Sequence, residues 1–225
     1  MKIKMTVIAV ILLLATTTLL GTVAHQTSLA QTSLVVAAQK LGSWCADELI
    51  KLSIELIKTP SCQTQEAFAQ HCVSQAIEGF KMEISARQAL KTVANLSQAQ
   101  AQKMKNNLKK IEQFMQTEVY AKMPVTRFAV STDGQKNSSH AFFMLGKNCA
   151  QLLVAVEAYV LKNPKEDSDV LDQKLIDSCA YAFESHCNRV DFSVLAQKEG
   201  LSKEQVVQLQ KLVSVVHELK SMLHE

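Results

Sequence analysis

The chain has few of the residues that turn-rich folds require. Its 225 residues include only three prolines and six glycines, and aromatic side chains make up 5%. Sandwiches and barrels of short strands need frequent turns and use many aromatic side chains. Helix interiors, in contrast, are weakened by proline and glycine, so their scarcity favours helices. The composition therefore predicts an all-α protein, and 48% hydrophobic residues are enough for a sizeable core.

The sequence also lacks the short motifs of common enzyme chemistries. It has no nucleophile elbow, no zinc-protease H-E-x-x-H, no P-loop and no dinucleotide fingerprint. The pairs His71-Cys72 and His186-Cys187 do not suggest a metal site, because adjacent helical residues point about 100° apart. We therefore expect a protein that is not an enzyme, with no catalytic residue, no metal and no cofactor.

The N-terminus has the pattern of a signal peptide. A basic start with Lys2 and Lys4 precedes an apolar run over residues 7–20, and small residues at 22–24 provide a cleavage site after Ala24. A second possible cut follows Ala30, and an uncleaved membrane anchor is the alternative. Residues 1–24 are thus predicted to direct the chain to the periplasm or out of the cell.

Removal of this segment leaves a nearly neutral chain. Without Lys2 and Lys4 there are 22 basic and 21 acidic residues, so the net charge falls from +3 to +1. A protein that binds nucleic acid through its bulk charge is usually far more basic. We therefore expect no nucleic-acid partner.

Three blocks of sequence occur twice in the same order. Residues 41–60 and 145–164 share seven identical positions in register, among them a glycine and a cysteine. The blocks at 67–72 and 95–100 match those at 182–187 and 200–205. This pattern predicts an internal duplication, with helical repeat 1 at residues 31–133 and helical repeat 2 at residues 134–225.

Each repeat is predicted to contain three helices, A, B and C. Helix A begins at Thr32 or Ser33 and ends just before Pro60 in the first copy, and it begins at Ser138 or Ser139 and ends before Pro164 in the second. Helix B begins near Thr64 or Ser168. Helix C begins in each copy with a capping box, formed by Ser97 with Gln100 and by Ser202 with Gln205. We expect A and B to form an antiparallel hairpin, and residues 121–139 to join the repeats.

Six cysteines in an exported chain predict disulfides, because an oxidising compartment lets them persist. In an antiparallel A/B hairpin, Cys45 and Cys72 lie at distances from the turn that bring them within reach of each other, which favours a bond between them. The repeat then predicts a bond between Cys149 and Cys187. Cys62 and Cys179 are then left to join across the repeats, and Cys149 with Cys179 is a rival pair. The predicted fold is two tandem three-helix repeats packed into a single disulfide-stapled helical bundle.

One charge feature belongs to the first repeat alone. Its helix C is rich in lysine, and basic residues continue into the joint; the cluster comprises Lys103, Lys105, Lys109, Lys110, Lys122 and Arg127. The corresponding part of repeat 2 has no such cluster, so the fold does not require it. We predict that it binds anionic lipid headgroups, such as phosphoinositides, or an acidic protein partner. A solvated face that keeps the protein soluble is the alternative.

These patterns predict an exported, non-enzymatic helical binding protein, of the kind that bacteria secrete as effectors. A second hypothesis is an extracytoplasmic carrier that holds an apolar small molecule between the repeats. Its lining would be formed by Phe80, Met104, Met115 and Phe143, unless these side chains simply fill the core.

Overall fold

The computed structural model describes residues 29–59, 61–89, 96–114, 128–165 and 167–223. Within these ranges every regular element is a helix, so the predicted all-α class is confirmed. The helices are α1 (Leu29–Lys58), α2 (Cys62–Ala89), α3 (Gln98–Phe114), α4 (Asp133–Lys162), α5 (Ser168–Asn188), α6 (Phe192–Glu199) and α7 (Lys203–Leu223). The predicted signal peptide, residues 1–24, lies outside the described residues. The predicted division into two repeats stays a prediction.

Both predicted capping boxes are present. The backbone N–H of Ser97 donates to Gln100 Oε1 at 2.9 Å, and the backbone N–H of Gln100 donates to Ser97 Oγ at 3.3 Å. Ser202 and Gln205 form the same two hydrogen bonds at the same distances. Gly200, with φ of 65°, closes the preceding helix in the left-handed conformation. Local sequence therefore sets where α3 and α7 begin.

Two long helices begin earlier than the sequence predicts. The first, α1, begins at Leu29 rather than at Thr32 or Ser33. The fourth, α4, begins at Asp133 rather than at Ser138 or Ser139. Thr132 caps it, because its Oγ1 accepts a hydrogen bond from the backbone N–H of Gln135 at 3.2 Å. Residues 133–139, which we expected to belong to the joint between the repeats, therefore form the first turns of α4.

The short helix α6 has no counterpart in the sequence prediction. Asp191 caps it, since its Oδ1 accepts hydrogen bonds from the backbone N–H groups of Ser193 at 2.9 Å and Val194 at 3.1 Å. The Ser193 hydroxyl, which donates to the same oxygen, and then these backbone bonds lower the pKa of Asp191 below its ordinary value. The segment between Asn188 and Gly200 is therefore a separate helix rather than a continuation of helix B.

The helices pack in two groups. In the first, α4 lies along α2 and α3 packs on both. In the second, α1 lies along α5 and α7 packs on both. The predicted hairpin between α1 and α2 is therefore wrong: these two helices touch only slightly, and each has its main contact with a helix from the other half of the chain.

Both main helix pairs are parallel. Along α2 and α4, the contacts advance together from His71 with Ser139 to Glu83 with Gln151. Along α1 and α5, Ala38 shares a core cluster with Leu171 and Leu175, and further along Ile50 shares one with Cys187. The connection from α1 to α2 and the connection from α4 to α5 therefore each lead from one group of helices to the other.

Glycines allow these helix pairs to approach closely. A Cβ atom on Gly42 of α1 would overlap the backbone carbonyl of Cys179 in α5. A Cβ on Gly146 of α4 would overlap the backbone carbonyl of Ala76 in α2, and one on Gly79 would overlap that of Phe143. The fold requires a residue without a side chain at these three contacts.

The two groups meet where α1 and α4 cross antiparallel at the centre of the molecule. At one end, Gln135 Nε2 donates to Thr59 Oγ1 at 3.3 Å, and both residues are buried. At the other end, Leu34 and Ala38 share a core cluster with Tyr159. The largest core cluster spans this crossing and extends over α2 and α3.

One described helix, α4, is long and apolar enough to cross a membrane by length and composition, and 39% of its most apolar window is buried inside the protein. Its polar residues contact neighbouring helices. Gln151 Nε2 donates to Glu83 Oε1 at 3.1 Å, and Asn107 Nδ2 donates to Glu157 Oε2 at 3.1 Å. Core helices of soluble bundles have the same length and composition.

Gly146→Ala is expected to lower the free energy of unfolding by about 2–3 kcal/mol, because the new methyl group overlaps the Ala76 backbone and the two helices must separate. Chemical denaturation measures this change. Gly200→Asn is the control: Gly200 has open space around it and asparagine tolerates its left-handed conformation, so a change within about 0.5 kcal/mol is expected. Equal effects of the two substitutions would contradict the close approach of α2 and α4.

Candidate functional site

The helix α3 is held on the bundle by one apolar face. Met104 and Leu108 are each 1% exposed and belong to the main core cluster, against which Ile111 also packs. Its first turn is fixed by Gln100, whose Nε2 donates to the backbone carbonyl of Leu161 at 2.6 Å. This bond satisfies a carbonyl in the last turn of α4. The apolar face of α3 and the hydrogen bond in its first turn therefore both fix its position.

The four lysines of α3 are exposed on the remaining faces of the helix. Lys103 and Lys110, seven residues apart, lie along one edge of the exposed face; Lys105 and Lys109, four residues apart, lie along the other. None of the four forms an ion pair within the described residues. We call these four residues the lysine face. Lys122 and Arg127, which the sequence prediction adds to this site, lie outside the described residues.

The lysine face is accompanied by one acidic and one apolar side chain. Glu112 is the single acidic residue of α3, so the helix has a net charge of +3. Its Oε1 accepts a hydrogen bond from Ser85 Oγ at 3.4 Å. Phe114, at the end of the helix and four residues after Lys110, is 43% exposed. The sequence prediction missed Phe114, although its spacing from Lys110 places it on the same edge.

A second polar group lies in the interface of α2 and α4. Glu83, whose side chain is only 9% exposed, accepts hydrogen bonds from Arg87 Nε at 3.0 Å and Gln151 Nε2 at 3.1 Å, and Lys147 Nζ lies 3.7 Å away. Burial alone would raise the pKa of Glu83, but the hydrogen bonds and the two positive charges outweigh it and lower that pKa. This cluster stabilises the interface, with the Glu83 carboxylate buried and the Arg87 side chain 40% exposed.

The histidine of the first His-Cys pair contacts the start of α4. His71 Nε2 and Ser139 Oγ are 2.9 Å apart, and the imidazole ring centroid lies 6.2 Å from that of Phe128. Burial lowers the pKa of His71. In the part of the chain that the structure describes, no group of three or more His, Cys, Asp or Glu residues could hold a metal ion. His71 is thus a packed residue in the contact of α2 with α4.

The predicted disulfides are not formed. All six cysteines are free thiols, including the preferred pairs Cys45 with Cys72, Cys149 with Cys187 and Cys62 with Cys179, and the rival pair Cys149 with Cys179. The first two pairs depended on an antiparallel hairpin of neighbouring helices. Because α1 packs on α5 and α4 instead, the cysteines of neighbouring helices are not brought side by side as in a hairpin.

The fold brings three of these cysteines together, in a combination that the preferred pairs do not contain. Cys45 lies close enough to Cys149 and Cys179, and Cys149 close enough to Cys179, for a charge on one thiol to disfavour a charge on the next. Burial, and then these neighbours, raise the pKa of Cys45 well above its ordinary value. Burial raises the pKa of Cys149 to about 12 and that of Cys179 to about 11. The sequence contains a signal for part of this cluster, since Cys45 and Cys149 occupy the same position in the repeated blocks.

The residues predicted to line a carrier cavity lie mainly in the core. Phe80 and Met104 are 3% and 1% exposed and are packed in the main core cluster. The backbone of Phe143 lies against Gly79, and Met115 lies outside the described residues. No observation in the described part of the chain favours the carrier hypothesis over a filled core.

Comparison with protein-family models, with curated proteins and with solved structures finds no match for this chain. Function has to be argued from its own residues. Two features of the described residues suggest a role beyond packing: the lysine face of α3, and the three thiols at the crossing of α1, α4 and α5.

Glu83→Gln is expected to lower the free energy of unfolding by about 1–3 kcal/mol at pH 7, because a buried charged hydrogen-bond acceptor is lost. The folded-state pKa of Glu83 is lowered, so its contribution is present above the unfolded pKa of about 4.5 and is lost as the pH falls through the folded value. The difference between wild type and variant should therefore shrink below about pH 4.5.

Urea unfolding at pH 7 and at about pH 3 measures this difference. Asp177→Asn is the control, because Asp177 is an exposed carboxylate whose partner, Gln173, is also exposed. A constant effect of Glu83→Gln over this pH range would show that its charge does not contribute to stability.

Proposed function

We propose that this protein is an exported, non-enzymatic binding protein whose lysine face docks on anionic phosphate-bearing headgroups at a membrane surface. The observation that supports this most directly is the exposure of Lys103, Lys105, Lys109 and Lys110 with no ion pair within the described residues. Four ammonium groups on one short helix produce a local positive field that the nearly neutral remainder of the chain does not share.

The size of this effect is sufficient for reversible docking. A lysine near an anionic membrane surface contributes about 1 kcal/mol, so four contribute about 4 kcal/mol, or roughly a thousand-fold in binding. The geometry supports simultaneous contact, because Lys103 and Lys110 are about 10 Å apart along the helix axis and Lys105 and Lys109 lie between them. All four can therefore approach one flat surface when α3 lies parallel to it.

Phe114 adds an apolar contact at the end of the same helix. A basic helix that lies in a membrane interface usually pairs its charges with aromatic or aliphatic side chains that enter the acyl boundary. Phe114 shares an edge with Lys103 and Lys110 and is 43% exposed. We infer that insertion of this ring supplements the electrostatic attraction and makes part of the binding resistant to salt.

The corresponding helix α7 provides a matched comparison. It begins with the same capping box and packs on α1 and α5 as α3 packs on α4 and α2. Over residues 203–214, the part of α7 whose side chains the structure describes, Lys203 and Lys211 are exposed but so is Glu204, so basic residues do not dominate that surface. Two helices in similar positions thus differ in charge, so the fold does not require the lysines of α3. This favours a function for them.

Reversal of two charges at the lysine face should weaken membrane binding. We expect the wild-type protein to co-sediment with phosphoinositide-containing vesicles at about 50 mM salt, less so at about 300 mM, and not with neutral vesicles. Lys105→Glu combined with Lys109→Glu should reduce binding at least tenfold, and reversal of all four lysines should abolish it.

Lys203→Glu combined with Lys211→Glu is the control, since it makes the same change of net charge on α7 and should leave binding within about twofold of wild type. Equal loss in both double variants would mean that net charge, rather than the lysine face, determines binding. Absence of binding to every vesicle would overturn the membrane proposal and favour an acidic protein partner.

A further inference from the structure

The packing of α1 against α4 places Cys45 opposite Cys149. The hydrogen bond between Gln135 and Thr59 fixes the register of these antiparallel helices. Cys45 lies fourteen residues before Thr59, and Cys149 lies fourteen residues after Gln135. Both cysteines are therefore about 21 Å from that bond, at the same level of the two helices. The cluster of Leu34 and Ala38 with Tyr159 agrees with this register at the far end.

A third thiol reaches the same point from α5. The backbones of Gly42 and Cys179 are in direct contact, and Cys45 follows Gly42 by one helical turn. Since residues three apart share a helix face, Cys45 faces the contact with α5 and is also close to α4. Cys45 therefore lies in a cluster with Cys149 and Cys179. Cys179 is level with Gly42, about 4.5 Å from the level of Cys45 along α1, whereas Cys149 is at the level of Cys45.

We propose that Cys45 and Cys149 form a disulfide that joins the two central helices, α1 and α4, while Cys179 remains a thiol beside it. The two thiols are free and are not at bonding distance in this structure, so bond formation requires both side chains to rotate and the two helices to move closer together. The bond would close a loop of about one hundred residues, and a cross-link constrains the unfolded chain more as the closed loop becomes longer.

The remaining cysteines are placed too far away to compete. Cys72 follows His71, which is level with Ser139, so Cys72 is nine residues, or about 13 Å, from the level of Cys149 along α4. Cys187 shares a core cluster with Ile50, about five residues further along α1 than Cys45. Cys62 is exposed at the start of α2.

The oxidant is a low-molecular-weight disulfide such as oxidised glutathione. One cysteine, as its thiolate, attacks the oxidant and forms a mixed disulfide, releasing one reduced thiol. The other cysteine then attacks the mixed disulfide and releases the second thiol. The protein loses two protons and two electrons, which reduce the oxidant to two thiols. Because the three thiols are buried and remain protonated at neutral pH, we expect this reaction to occur during folding rather than in the finished bundle.

This inference requires the oxidising compartment of an exported protein, but it does not depend on the lysine face. Vesicle binding and disulfide formation are measured separately, so failure of one leaves the other intact. A disulfide that forms only in oxidising conditions and no binding to lipid would retain the present inference and overturn the docking proposal.

Peptide mapping of the full chain, expressed for export and purified without reductant, tests the pairing. Trypsin cleaves after Lys40, Lys51, Lys147 and Lys162, so Cys45 is released in residues 41–51 and Cys149 in residues 148–162. Cys179 and Cys187 share the peptide of residues 175–189. We expect residues 41–51 and 148–162 as one cross-linked species that separates on reduction. We also expect reduction to lower the melting temperature by about 10 °C.

Cys62→Ser and Cys179→Ser should both retain this cross-link, whereas Cys45→Ser should remove it. Mapping the wild-type protein is sufficient by itself if the last variant does not fold. The proposal would be overturned if residues 41–51 were recovered unlinked, if they were linked to residues 175–189, or if a metal ion co-purified on these thiols in place of a disulfide.

Discussion

Close approach of helix backbones at Gly42 and Gly146 is the constraint on which the arrangement of this bundle depends. At each of these positions a neighbouring carbonyl occupies the space that a Cβ atom would need. Helices can approach to this distance only along a face with no side chain at the contact. This pairs α1 with α5 and α4 with α2, and the two resulting groups meet through α1 and α4. The remaining helices cover the outside of this framework.

The position of α3 follows from that framework and gives the lysine face its exposure. Met104 and Leu108 fill the surface that α2 and α4 present together, and Gln100 bonds the end of α4. A helix held by one apolar stripe has its other faces in water. Since α7 is placed in the same way on α1 and α5 without a similar charge, the lysines are additional to what the packing requires. This difference between α3 and α7 favours a binding role for the lysines.

Polar groups inside the bundle are used in two different ways. Glu83 has hydrogen bonds and positive charges around it, so its ionised form is favoured despite burial. For the thiols of Cys45, Cys149 and Cys179, burial outweighs the backbone hydrogen bonds that lower the pKa of the first two, and it holds all three in the neutral form. A buried charge needs partners, whereas a neutral thiol packs like a small apolar side chain. The first arrangement strengthens an interface, and the second places three neutral thiols at a helix crossing.

Much of the local structure was predictable from the sequence, because helix formation and capping depend on neighbouring residues. The all-α class follows from the composition, and the capping boxes at Ser97 and Ser202 follow from a four-residue pattern. Exposure of the four lysines was predictable for the same reason. The start of α4 was missed because Asp133-Gly134 resembles a turn, while the capping role of Thr132 is visible only with its hydrogen bond to Gln135.

The sequence by itself determined which segments are helical, where several of them begin and which face of each is apolar. Only the tertiary structure decided which helices are neighbours. An apolar stripe specifies that a face is buried but not which helix covers it, and several partners satisfy it equally well. The predicted hairpin, and with it the predicted disulfides, failed for that reason. Contact between Gly42 and Cys179 selects α5 as the partner of α1, and the antiparallel crossing with α4 brings Cys149 opposite Cys45.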